Sequence, residues 1–138
     1  MASNESYHKQ VAKKNELKLR ELRSSLPSFC DRFFRGIEPT TASRTRIAYA
    51  IDLKVFFNYV QTQIDRFKSR NIYTSDITLL DEINCYDIEN YLDYLKVYTN
   101  EEGITLTNDE NGLKRKLSAV SSMYRYFYYH HEVSGNPA

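Results

Sequence analysis

Lys114, Arg115, Lys116 and Arg125 share one predicted helix with Ser118, Ser121 and Ser122, and no acidic residue occurs from Gly112 to Tyr128. Arg115, Ser118, Ser122 and Arg125 recur at steps of three, four and three, with Lys114 and Ser121 flanking them. That spacing puts guanidinium, ammonium and hydroxyl groups on one helix face, where phosphate oxygens and base edges accept their hydrogen bonds. A second group of donors, Ser43, Arg44, Thr45 and Arg46, falls at the predicted start of another helix. Free backbone N–H groups and the helix dipole favour an anion there, although ordinary capping explains the hydroxyls equally well. Lys54, further along the same helix, completes the candidate set.

Other residues invite chemistry and do not sustain it. Tyr124, Tyr126, Tyr128 and Tyr129 offer phenolic nucleophiles, but no positioned cations or acid–base motif surround them, so aromatic packing at a helix end is the expectation. His130 and His131 are adjacent, and neighbouring helical residues do not share a face to hold a metal. Cys30 and Cys85 are isolated and lack the spacing of a zinc site or a disulfide framework. No catalytic residue, metal or cofactor is expected, and the thiols are expected free in a reducing cytoplasm.

These side chains need helices to position them. In the last helix Leu113, Leu117, Val120, Tyr124 and Phe127 follow steps of four, three, four and three and form the face turned to a core. The breaker cluster Val133-Ser134-Gly135-Asn136-Pro137 closes it. A helix over 42–67 is predicted from Tyr49, Leu53, Phe56, Val60 and Ile64, widened by Ile51 and Phe57, with Thr40 or Thr41 as its cap. Phe29, Phe33 and Phe34 mark a shorter helix after Pro27, ended by Gly36 and Pro39. Ile88, Tyr91, Leu92, Leu95 and Tyr98 mark another, capped by Asn84 with Asp87 three residues on. Residues 68–83 read as a connector whose Ile77, Leu79 and Leu80 tuck onto the core, and 99–107 as a turn. Thr107 and Glu110 have capping-box spacing. Before all of these, Ala12, Asn15, Leu19, Leu22 and Leu26 share a face of an amphipathic helix whose basic side reads best as solvated.

The expected architecture is therefore all-α: a compact bundle of four core helices with an extra N-terminal helix and no strand. Residues 1–24 form the leader and basic helix, and 25–138 the bundle. The core is expected to contain Phe33, Tyr49, Leu53, Phe56, Leu92, Leu95, Leu117, Val120 and Tyr124.

A net charge of +1 argues, taken alone, against a nucleic-acid binder. The charge is sorted along the chain, however. Residues 84–110 carry seven acids against Lys96, whereas 112–128 carry four cations and no acid. No early apolar run resembles a signal peptide and none is long enough to span a membrane, so a cytoplasmic location is expected.

Two stretches carry a resemblance. Thr45, Tyr49, Asp52, Leu53 and Phe56 fit the Thr-x-x-x-Tyr-x-x-Asp-Leu-x-x-Phe helix of the tyrosine recombinases, the phage-type integrase family. Residues 115–124 (RKLSAVSSMY), followed by Asn136-Pro137-Ala138, resemble the last helix of that family's core-binding domain and the linker after it. The match covers roughly 26–138. It implies a SAM-like, non-catalytic domain that clamps double-stranded DNA at a recombination core site during integration and excision. It further implies two partners: a catalytic domain elsewhere in the parent chain, supplying the Tyr nucleophile with Arg, Lys and His, and other integrase protomers in a synapse. The sequence ends where that catalytic domain would start, so the expectation is an N-terminal portion of an integrase. The competing class is a helical protein-interaction module that works through the acidic surface around Asp87–Asp93.

Overall fold

The computed structural model describes residues 4–138. In order they form α1 (Asn4–Arg23), α2 (Cys30–Ile37), α3 (Ser43–Gln63), α4 (Leu79–Glu82), α5 (Cys85–Leu95), β1 (Val97–Thr99), β2 (Thr105–Thr107) and α6 (Glu110–Tyr129). Short 3-10 turns occupy Glu38–Thr40, Asp65–Phe67 and Ile72–Thr74. The chain is thus mainly α-helical, as its periodicity implies, with a small hairpin added.

Aromatic rings build the centre. Phe29 meets Phe57 at 6.0 Å and Phe127 at 6.1 Å, edge to face, which ties the start of α2 to α3 and α6 at once. Phe33 bridges Tyr49 of α3 and Tyr126 of α6 at 6.1 and 5.9 Å. Phe56 meets Tyr91 of α5 at 5.2 Å. Pairs of this geometry add a little beyond the area they bury. Of the expected core, Phe33, Leu53, Phe56, Leu95, Val120 and Tyr124 are buried, while Tyr49, Leu92 and Leu117 pack half-buried at its edge.

Several boundaries differ from the sequence reading. Helix α3 ends at Gln63, because Gln61 organises the next segment: its Nε2 donates to Phe67 O and Arg70 O, and its Oε1 accepts from Ile72 N. Its N-cap is Ala42, not Thr40 or Thr41; the Thr41 hydroxyl donates back to Ile37 O, at the end of α2. Ile51 is 44% exposed, since it lies one residue, or 100°, from the buried Asp52. Gly36 sits inside α2 rather than ending it. A Cβ there would lie 2.2 Å from the Tyr126 ring, so glycine permits the close approach of α2 and α6.

The expected turn over 99–107 contains strands instead. Val97, Tyr98 and Thr99 pair antiparallel with Thr107, Leu106 and Thr105, all but one of them β-branched or aromatic. Asn100 accepts from Glu102 N and Ile104 N, and Gly103 takes the positive φ of 79° that closes the turn. Tyr98 therefore belongs to β1 and not to α5. Helix α6 is capped by Asp109, whose Oδ1 accepts from Gly112 N, and not by Thr107. The Asn84–Asp87 capping box forms as expected.

Candidate nucleic-acid interface

Helix α6 has two faces. Lys116, Ala119, Val120, Met123, Tyr124 and Phe127 are buried, whereas Lys114, Arg115, Ser118 and Arg125 are exposed. Lys114, Ser118 and Arg125 follow one another along the outer side, and Ser121 and Ser122 flank them half-buried. Lys114 Nζ lies 3.4 Å from Glu110 one turn back, an exposed pair that costs little to open. No hydrogen bond or ion pair engages the Arg125 side chain among the described residues, so its guanidinium faces solvent. Ser121 also has a structural role. Its hydroxyl and carbonyl accept from Asn136 Nδ2, which folds the C-terminal segment back onto the helix.

The donors at the start of α3 divide. Arg44 and Thr45 are exposed. Ser43 turns the other way, and its Oγ accepts from Asn15 Nδ2 of α1 at 3.0 Å. Arg46 is only 8% exposed, and its Nη1 donates to Glu38 O and to the Thr41 carbonyl and hydroxyl. It closes the end of α2 from inside, so it is not an outward cation. Lys54 lies two residues, or about 200°, beyond Asp52. It lines the groove formed by Ser24, Ser25, Leu26, Tyr73 and Glu101, away from α6. Arg44 and Thr45 are thus exposed, Ser43 and Arg46 are engaged within the protein, and Lys54 lines a different groove.

What joins α3 to α6 at this surface is Asp52. Thr45 and Asp52 are seven residues apart and occupy the same side of α3. Asp52 is 2% exposed, and its Oδ1 stands 3.4 Å from Arg115 Nη2. Burial pushes its carboxyl above the ordinary range, and Arg115 and Lys116 pull it back. Lys116 is buried beside it; its Nζ donates to Asn108 Oδ1 at 2.7 Å, and desolvation lowers its pKa. Asn108 in turn donates to Leu95 O, fastening the start of α6 to the end of α5. In the sequence Asp52 stands out only as part of a family pattern, and its pairing is missed because Arg115 lies far along the chain.

The remaining candidates sort by burial. Tyr124 donates to Leu80 O at 2.7 Å, and burial raises its pKa, so it is a core strut. Tyr126 meets Phe33 and Phe127 edge to face and His130 at a tilt. Tyr128 and Tyr129 are 53% and 74% exposed, against the packing expected for them. Cys30 is buried and Cys85 exposed, both free. Among the described residues no group of three or more His, Cys, Asp or Glu side chains is placed to hold a metal ion, and no helix is long and apolar enough to cross a membrane. The acidic surface of the competing reading loses Asp87, which is 8% exposed and takes the Arg66 guanidinium and the Asn84 amide.

The chain is thus mainly helical, and the outer face of α6 is cationic and bears hydroxyls. Comparison with protein-family models, with curated proteins and with solved structures finds no match for the chain.

Proposed function

We propose that this domain binds double-stranded DNA through the outer face of α6 and the first turn of α3, as the core-binding domain of a site-specific tyrosine recombinase. The observation that carries the reading is the α6 face itself. Lys114, Arg115, Ser118 and Arg125 stand exposed, opposite a fully packed core, with Arg44 and Thr45 exposed on the helix packed against α6. Lys114, Arg44 and the serines supply phosphate contacts, which position the domain without reading sequence. Arg115 and Arg125 carry the forked donors suited to guanine in the major groove. The reading assigns no strand cleavage to this domain; a catalytic domain of the parent protein and further protomers would complete the clamp and the synapse. It is cytoplasmic in this reading.

Fluorescence anisotropy with a labelled duplex, read against salt, tests the proposal. Binding that weakens with salt, with a slope reduced by about one when Lys114 is replaced by Ala, supports it. Binding that is absent at low salt, or indifferent to Lys114, Arg115 and Arg125, refutes it.

A further inference from the structure

We infer that Asp52 is a positioning residue for DNA readout: its carboxylate draws the Nη2 end of the Arg115 guanidinium inward, so that the other donors are presented to a base pair in a preferred direction. The inference rests on the DNA-binding reading above and names a determinant of specificity within it. Three observations place Asp52 in this role. Its side chain is 3% exposed whereas that of Arg115 is 61% exposed, so a buried carboxylate meets the terminal Nη2 of a cation that otherwise stands in solvent. The other cation acting on Asp52, Lys116, is turned inward and bonded to Asn108, which leaves Arg115 as the one ion-pair partner of Asp52 among the described residues. The Tyr91 hydroxyl of α5 is buried without a hydrogen-bond partner among the described residues, and burial, with the Asp52 charge adding to it, raises its pKa. Helix α3 thus fixes the carboxylate, and the carboxylate fixes the arginine.

A long arginine loses several rotatable bonds on forming a specific contact, and an anchor that restricts them beforehand lowers that cost. Removing the anchor has a distinctive consequence. Asp52→Asn takes a negative charge away from the DNA-facing surface, which does not weaken contact with phosphates. It also frees Arg115, which weakens discrimination between base pairs. Loss of fold would weaken both, and a purely electrostatic effect would strengthen both alike.

The experiment selects duplexes from a randomised pool with the unaltered protein, then compares binding of the selected duplex and a scrambled one. Arg115→Ala is expected to reduce the ratio of the two affinities by about 5- to 150-fold, the worth of one bidentate base contact. Asp52→Asn is expected to reduce that ratio comparably while leaving affinity for the scrambled duplex equal or higher. The double variant is expected to match Arg115→Ala alone. Thermal melting of each variant confirms that it is folded, and Asp52→Glu, which keeps the carboxylate, restores part of the ratio. An unchanged ratio in Asp52→Asn, with Arg115→Ala impaired, overturns the role of Asp52 and leaves DNA binding standing. An unchanged ratio in Arg115→Ala overturns it as well. If the unaltered protein binds neither duplex, the DNA-binding reading falls and this inference with it.

Discussion

Arg115 stands 3.4 Å from Asp52, a surface cation held by a carboxylate that is almost wholly buried. The relationship links α3 and α6. It also puts an ionised acid in a site that disfavours charge, and a pH dependence follows. Burial raises the Asp52 pKa above its ordinary 3.8, with Arg115 and Lys116 opposing. The folded chain therefore holds this proton to higher pH than the unfolded chain. Stability from this group is full below 3.8 and is lost as pH rises through the folded-state value. Asp52→Asn removes the loss, so thermal melts should show the variant gaining on the parent protein as pH is raised from 3.8. A difference that does not change with pH would contradict the direction of the shift.

Tyr124 is the strut between α6 and α4. Its hydroxyl donates to Leu80 O in a fully buried setting. Tyr124→Phe keeps the ring and leaves that carbonyl short of a donor, which should cost about 1–2 kcal/mol in urea unfolding. No change in the midpoint would mean that the carbonyl finds another partner.

At the start of α5, Asp87 does two jobs where Asn84 does one. Asn84→Ala removes half of the capping box and should cost about 1 kcal/mol. Asp87→Ala also removes the carboxylate onto which the Arg66 guanidinium forks, leaving Arg66 with Glu82 O and solvent, and should cost somewhat more, about 1–2 kcal/mol. Equal losses in chemical denaturation would show that the Arg66 pair contributes nothing.

Gly36 is needed for space. Its Cβ position falls 2.2 Å from the Tyr126 ring, which Phe33, Phe127 and His130 surround. Gly36→Ala should therefore cost about 1–3 kcal/mol, and much less in a Tyr126→Ala background. A loss of the same size in both backgrounds would locate the strain elsewhere.

The sequence made the helices legible wherever an apolar stripe recurred at helical spacing, as with Leu53, Phe56 and Val60 or Val120, Tyr124 and Phe127. The Asn84–Asp87 box was legible because both partners lie within one turn. The hairpin was missed because each of its strands is three residues long, too short to show a period. Arg46 and Arg44 look alike in sequence, and what separates them is the crowd of carbonyls at the end of α2 that one of them reaches. The groove that Lys54 lines is hidden from the sequence for a related reason. The neighbours of Lys54 in space, Ser24, Tyr73 and Glu101, come from three other parts of the chain. Long-range partners of this kind leave no local pattern to read.

The surface proposed to meet DNA is the outer face of α6 with the start of α3. Titration of the isotope-labelled protein with a duplex at low salt, followed by amide NMR, tests it most directly. Shifts are expected at Arg44 and Thr45 and from Lys114 through Arg125, reversed by added salt. Shifts confined to the acidic stretch of residues 84–102, with α6 silent, would contradict it.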